Sequence, residues 1–129
     1  MTNPLIQLRA LGQSVWLDYI QRDILENGEV ASMIEQDGLA GMTSNPTIFE
    51  KAINKHDDYD DAIEALNRNG TSALEIYEIL TLEDVRHAAD LFRTVYEDSN
   101  GRDGFVSLEV SPHLAYDTKQ TITEASRLW

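Results

Sequence analysis

The chain has 129 residues, with 23 acidic and 10 basic side chains, a net charge of −13 and no cysteine. That length suits one domain, and a hydrophobic share of 42% is enough for a packed core. The negative charge argues against nucleic acid or an anionic membrane as a partner, because both attract positive surfaces. The lack of cysteine excludes disulfides and thiolate chemistry, and it is compatible with the cytoplasm, where we expect the protein to act. Since no apolar run approaches ~20 residues, we expect no membrane span.

The first half of the chain predicts two strands separated by a helix. Residues 14–20 are apolar and rich in aromatic and β-branched side chains, as in a strand buried on both faces of a parallel sheet. Residues 23–36 predict a helix that is interrupted or kinked near Gly28. Residues 39–44 are a weaker strand candidate, because the stretch is short and contains a glycine. Pro46 then suits the first turn of a helix, where its missing N–H costs nothing.

The second half predicts several helices, one strand and a final helix. Two amphipathic segments come first, at residues 59–66 and 74–80. Residues 82–96 carry apolar side chains at the spacing of one helix face, with Thr81 as the predicted cap. Residues 104–112 are the best strand candidate and, like residues 14–20, have the apolar character of a strand buried on both faces. Asp117 predicts the cap of the last helix. Strands that alternate with helices indicate βαβ units and a parallel sheet.

Polar side chains lie in or directly after the three predicted strands. Asp18 interrupts the first strand, Asn45 closes the second and Glu109 interrupts the third. Ligands of parallel α/β folds collect at the carboxyl ends of strands, and a buried carboxylate is costly unless it is paired or protonated. For one acid alone, a salt bridge or an orientation toward water is an equally good interpretation. Two acids and an amide at three strand ends favour a functional site.

Other residue types form no comparable site. The histidines lack the spacing of metal ligands, and we expect surface or capping positions for His56, His87 and His113. The acidic run at residues 57–61 is better interpreted as a solvated helix start than as a metal site. The three lysines, Lys51, Lys55 and Lys119, lie in helical patterns among polar neighbours. We expect them to be solvated, without the burial that would lower the pKa of a lysine enough for Schiff-base chemistry. We therefore predict no metal site.

Three motifs of this chain resemble those of the transaldolases. Residues 41–49 contain the Thr-Ser-Asn-Pro signature of that family. Residues 15–18 resemble the family's first barrel strand, and residues 105–118 resemble its third strand with the segment that follows. Because the opening and closing residues match as well, the resemblance covers essentially the whole chain. It is a resemblance to the longer bacterial branch, which also occurs fused to glucose-6-phosphate isomerase.

The resemblance implies both a fold and an activity. The fold would be an α/β (β/α)₈ TIM barrel of the class I aldolase type, of which residues 1–129 would form the N-terminal part with about three strands. In the pentose phosphate pathway, transaldolases transfer a dihydroxyacetone unit from sedoheptulose 7-phosphate or fructose 6-phosphate to an aldose phosphate. The reaction proceeds through a lysine Schiff base, without metal or organic cofactor.

The resemblance also implies roles for individual residues. Asp18 would be the acid or base that handles a hydroxyl proton, and Glu109 would hold the water that shuttles protons during Schiff-base formation. Asn45 and Ser44 would bind the dihydroxyacetone unit. Two separated carboxylates suit this chemistry, because proton transfers at different atoms need differently tuned groups.

The chain departs from the family pattern in its length. A closed barrel takes about eight strands and ~250 residues, and the family's lysine lies on the fourth strand, beyond residue 129. We therefore expect an N-terminal portion of a transaldolase that is inactive alone.

Two alternatives to this hypothesis remain open. One is a non-catalytic half-barrel that self-associates or binds a partner through its unpaired strand edge. The other is one half of a split enzyme that a separate C-terminal chain completes.

Overall fold

A computed structural model describes residues 3–129. In chain order its helices and strands are α1 (Pro4–Ala10), β1 (Val15–Asp18), α2 (Arg22–Glu26), α3 (Glu29–Asp37), β2 (Leu39–Thr43), α4 (Pro46–Lys55), α5 (Asp60–Arg68), α6 (Ala73–Leu91), α7 (Arg93–Asp98), β3 (Phe105–Val106) and α8 (Thr118–Leu128). Short 3-10 turns lie at Asp57–Tyr59 and Pro112–Leu114. Over residues 3–129, no helix combines the length and the apolar character that crossing a membrane requires.

The strands form one parallel sheet in the order β1-β2-β3. Helices α2 and α3 connect β1 to β2, and helices α4 to α7 connect β2 to β3. Across the sheet Asp18 pairs with Thr43, and Gly41 pairs with Phe105. A small parallel sheet with helical connections is the arrangement of part of a (β/α) barrel, so the predicted fold class is confirmed.

The weakest predicted strand is the centre of the sheet. Every residue of β2 from Leu39 to Met42 is buried, whereas β1 alternates half-buried with exposed residues and β3 is only two residues long. The prediction that both outer strands are buried on two faces is therefore wrong, because burial depends on which strand lies in the middle. Gly41 is required there, since a Cβ would lie 2.6 Å from the Trp16 ring and 2.8 Å from the Phe105 carbonyl oxygen.

Two predicted helical segments join into the single helix α6. Ser72 caps it, with its hydroxyl accepting from the Glu75 N–H and the Glu75 carboxylate accepting from the Ser72 N–H. Thr81, the predicted cap, lies buried within this helix, and its hydroxyl donates to the Glu78 carbonyl. Nothing between residues 74 and 82 breaks a helix, so no new start is needed there. The helix ends at Leu91, and α7 follows.

Other predicted helix boundaries are confirmed. Gly28, with φ of 87°, separates α2 from α3 at the predicted interruption. Helix α4 begins at Pro46, and Asp117 caps α8 by accepting from the Gln120 N–H. The aspartates of residues 57–61 are exposed at the start of α5, as predicted. Within residues 3–129 no cluster of three or more His, Cys, Asp and Glu side chains is placed to hold a metal.

The core consists of two groups of apolar side chains. The larger group packs the sheet against its helices and includes Ile20, Leu25, Val30, Met42, Phe49 and Phe92. The smaller group lies where α4, α5 and α6 meet and contains Ala52, Tyr59, Ile76 and Leu80. Tyr59 is thus fully buried although it stands in the middle of the acidic run.

A buried polar cluster formed by Arg22, Tyr59 and Asp84 ties α2 to α6. The Tyr59 hydroxyl donates to Asp84 Oδ2 at 2.7 Å and accepts from the Arg22 N–H at 3.0 Å. Arg22 Nε donates to Asp84 Oδ1 at 2.9 Å, and the guanidinium lies 4.8 Å from the centre of the Tyr59 ring. Burial raises the pKa of Asp84, while the Tyr59 hydrogen bond and the Arg22 charge oppose that rise. The Arg22–Tyr59–Asp84 cluster therefore satisfies each of its buried polar groups.

This cluster predicts an alkaline loss of stability. Burial, and the hydrogen bond donated to Asp84, raise the pKa of Tyr59 above its usual value of 10.0. The unfolded chain ionises this residue near pH 10, whereas the folded chain keeps it neutral. The stability from this shift is therefore complete below pH 10 and is lost as the pH rises toward the folded pKa. We expect this component to lower the unfolding free energy by about 1.4 kcal/mol per pH unit above pH 10.

Urea unfolding between pH 8 and pH 11 measures this component. In Tyr59→Phe the extra alkaline slope should be absent, although the variant is less stable than the unmodified chain at pH 8, where the Tyr59 hydrogen bonds are intact. Tyr116→Phe is the matched control, because the Tyr116 side chain is fully exposed, and it should keep the slope of the unmodified chain. Equal slopes for Tyr59→Phe and Tyr116→Phe would refute the explanation.

Candidate active site

A groove of about 520 Å³ lies at the carboxyl ends of the strands. Its lining residues are Asp18, Asn45, Pro46, Thr47, Ile48, Lys51, Glu109 and Pro112. The volume falls in the range of small-molecule sites. The three side chains that the sequence singled out at the strand ends, Asp18, Asn45 and Glu109, thus line one groove.

Asp18 ends β1, and its carboxylate is held by the neighbouring strand. The Thr43 hydroxyl donates to Asp18 Oδ1 at 2.6 Å. Both Asp18 and Glu109 are exposed, and Glu109 lies beyond the end of β3 rather than within a strand. The premise that these acids are buried is therefore wrong for this chain. A barrel covers its inner face only when all its strands are in place, and three strands leave that face open.

Asn45 connects β2 to α4 and is the N-cap of that helix. Its Oδ1 accepts from the Ile48 N–H at 2.9 Å, and Pro46 occupies the first helical position. The capping bond fixes the plane of the side-chain amide, as expected for this residue type at this position. Since the oxygen is engaged within the helix, the NH₂ group is the part of Asn45 that can donate to a ligand in the groove.

Ser44 is placed differently from the other predicted site residues. It is 2% exposed, and its hydroxyl donates to the Ser107 carbonyl oxygen at 2.6 Å. The Ser44 N–H donates to Ser107 Oγ at 3.2 Å. These bonds tie the end of β2 to the chain that leaves β3, so Ser44 helps to hold Asn45 and Glu109 at one edge. Substrate binding by Ser44 stays a prediction, and Ser44 is not among the groove-lining residues.

Lys51 is a groove residue that the sequence reasoning missed. It is exposed, as predicted, yet it lines the groove together with Thr47, one turn earlier on the same face of α4. The sequence could have indicated this position, because Lys51 lies within the first two turns of a helix that begins directly after Asn45. Side chains on one face of those turns lie beside the site at which the helix starts. Lys55 and Lys119 do not line the groove.

A second cavity, of about 380 Å³, adjoins the groove behind Glu109. It lies between α6 and α8, which are joined by Arg127 through two hydrogen bonds to the Glu78 carboxylate, at 2.8 and 2.6 Å. Burial, and then the negative charge of Glu109, raise the pKa of Tyr77 on the wall of this cavity. Glu109 therefore stands between an open polar groove and a more enclosed cavity.

A parallel sheet with acids and an amide at the carboxyl ends of its strands is the arrangement of (β/α)-barrel enzymes. A family model described as Transaldolase/Fructose-6-phosphate aldolase matches residues 15–129. This chain belongs to that family.

Curated relatives agree with this assignment. The chain is 49% identical, over its whole length, to 34% of a transaldolase of Trichodesmium erythraeum. It is 50% identical over 98% of its length to 33% of transaldolase 2 of Nostoc punctiforme, and 48% identical over its whole length to 35% of a transaldolase of Thermobifida fusca. The chain thus spans about a third of the length of these relatives. The resemblance found from the three motifs is confirmed.

Proposed function

We propose that this chain forms the first three β/α units of a cytoplasmic transaldolase. The complete enzyme would transfer a dihydroxyacetone unit from a ketose phosphate to an aldose phosphate, in the pentose phosphate pathway, through a lysine Schiff base. The observation that carries the proposal is the groove, which collects Asp18, Asn45 and Glu109 from three separate strand ends. The transaldolase names of the relatives support it.

In this proposal each groove residue has a distinct task. Asp18 exchanges a proton with a substrate hydroxyl, and the Thr43 hydrogen bond holds its carboxylate in one position. Glu109 orients the water that moves protons while the Schiff base forms and breaks. The Asn45 NH₂ donates to the bound dihydroxyacetone unit, with its oxygen fixed by the helix cap. Donors and acceptors of these kinds recognise a polyhydroxylated ligand.

We further propose that the Schiff-base lysine belongs to the rest of a full-length enzyme. A lysine becomes nucleophilic when it is desolvated or lies beside another cation. Lys55 and Lys119 lie outside the groove, and Lys51 lines it but is exposed to water. None of these three lysines has the required environment. Residues 1–129 alone would then bind a sugar weakly and complete no transfer.

A chimera tests the proposed function. These 129 residues would replace the matching third of the Trichodesmium erythraeum transaldolase, whose remaining part would supply the other strands. We expect the chimera to transfer dihydroxyacetone from fructose 6-phosphate to an aldose phosphate. Asp18→Asn and Glu109→Gln should each lower kcat by roughly 10²–10⁴-fold, the usual contribution of a general acid or base.

The control for both substitutions is Glu97→Gln, an exposed acid on α7 that should leave kcat unchanged. Full activity in the Asp18→Asn and Glu109→Gln chimeras would refute the assigned roles. A folded chimera without any activity would instead favour a second candidate, a non-catalytic half-barrel that self-associates. That candidate is motivated by Trp16 and Phe105, which remain 39% and 38% exposed on the outer strands of the sheet.

A further inference from the structure

The connection that follows Asp18 packs into the core and is held by side-chain hydrogen bonds. Residues 19–21 link β1 to α2, and Ile20 is fully buried within them. The Tyr19 hydroxyl donates to Gln21 Oε1 at 2.5 Å, and Gln21 Nε2 donates to Asp58 Oδ2 at 3.0 Å. The loop is therefore attached to the turn before α5 as well as to the core.

The far end of this connection enters the Arg22–Tyr59–Asp84 cluster. The Tyr59 hydroxyl is the one atom of the cluster that bonds both the backbone of Arg22 and the side chain of Asp84. The guanidinium reaches a second acid, with an Arg22 to Glu83 distance of 3.1 Å. Because α6 carries both acids and is the longest helix among residues 3–129, the connection is anchored to a rigid element.

Asp18 itself has little else to fix it. Its side chain is exposed and accepts one hydrogen bond, which comes from Thr43 at the end of the neighbouring strand β2. A carboxylate that exchanges a proton with substrate must stay close to one geometry, and such precision comes from supporting residues that are themselves locked. Its backbone is held on one side by the pairing of β1 with β2, where Asp18 lies opposite Thr43, and on the other side it continues directly into residues 19–22.

We propose that the Arg22–Tyr59–Asp84 cluster is a positioning device for Asp18, acting through the first β/α connection. Tyr59 and Asp84 do not line the groove and are positioning residues, not catalytic ones. The cluster holds the connection on one side, the Thr43 hydrogen bond holds the carboxylate on the other, and Asp18 is fixed between them. The inference rests on the proposed role of Asp18, but its test requires no catalysis.

Nuclear magnetic resonance on the 129-residue chain tests the proposal. In the unmodified chain, three-bond couplings should report a single rotamer about the Asp18 Cα–Cβ bond, and residues 19–21 should have backbone order parameters near 0.85. In Tyr59→Phe, which keeps the ring in the core, we expect averaged Asp18 couplings and order parameters that fall toward about 0.6. Arg22→Lys keeps the charge but loses the planar fork, and it should change both quantities in the same direction.

A control variant that loses a similar amount of stability separates the positioning of Asp18 from a general loss of stability. Ile76→Val removes one methyl group from the small core group that contains Tyr59, at a cost of about 0.5–1.5 kcal/mol. It should leave the Asp18 couplings and the order parameters of residues 19–21 as they are in the unmodified chain. Unchanged values in both Tyr59→Phe and Arg22→Lys, or equal changes in Ile76→Val, would overturn the proposal. An inactive chimera with a fixed Asp18 would refute the proposed function and leave the positioning intact.

Discussion

Asp84→Ala should lower the unfolding free energy by about 3–5 kcal/mol, the range found when one partner of a buried ion pair is removed. Asp84 is 2% exposed, and its two carboxylate oxygens accept from Arg22 Nε and the Tyr59 hydroxyl. Alanine leaves both donors without an acceptor, and the guanidinium loses its closest negative charge. The remaining ion pair, with Glu83, is more open to water and compensates only in part.

Urea denaturation measures this effect, and Asp90→Ala is its matched control. Asp90 lies on the same helix and bonds Arg93, but both side chains of that pair are well exposed. An exposed pair contributes about 0–1 kcal/mol, so Asp90→Ala should change stability by no more than that. If the two variants lost equal stability, the buried cluster would not be the anchor described above.

Gly104→Ala is the second substitution for which we expect a large effect. Gly104 has φ of 86°, and its N–H donates to the Ala40 carbonyl at 2.7 Å just before β3 begins. A Cβ at this position would lie 2.5 Å from the Tyr96 backbone nitrogen and 2.8 Å from its Cα. Because the obstacle is backbone, no rotamer change relieves it. The left-handed conformation costs about 1–2 kcal/mol and the clash about 1–3 kcal/mol more.

Gly70→Ala separates these two contributions. Gly70 has a similar φ of 78°, but a Cβ there meets nothing within 4 Å. Its variant should show the conformational penalty alone, and the difference between the two variants in urea denaturation gives the cost of the close approach. A Gly104→Ala chain as stable as Gly70→Ala would mean that β3 and α7 can separate at no cost.

The strand ends were the part of the site that the sequence could predict. Apolar runs locate strands, parallel strands place their carboxyl ends at one edge, and polar residues there must meet. The meeting of Asp18, Asn45 and Glu109 in one groove follows from this rule, and no contact between them had to be known in advance.

The burial of each strand was harder to predict from the sequence. The run at residues 39–44 became the central strand because of its neighbours, and that information is absent from the run itself.

The Arg22–Tyr59–Asp84 cluster could not be predicted for a different reason. Tyr59 is 37 residues from Arg22 and 25 residues from Asp84 along the chain. Each residue stands among charged neighbours that suggest a solvated surface. Only the packing of α6 against α2 and the turn before α5 brings the three together. Lys51, in contrast, was within reach of sequence reasoning, since the periodicity of α4 directs its side chain toward the groove.

A search for a covalent intermediate tests the proposed function most directly. In that proposal residues 1–129 carry the acid, the amide and the water-binding carboxylate of a transaldolase but not its nucleophile. The chain would be incubated with fructose 6-phosphate and borohydride, and its intact mass measured. We predict no added mass for the chain alone and a reduced three-carbon adduct in the chimera, on a lysine of its Trichodesmium part. A three-carbon adduct on Lys51, Lys55 or Lys119 of the isolated chain would show that the nucleophile lies within these 129 residues and would refute the proposal.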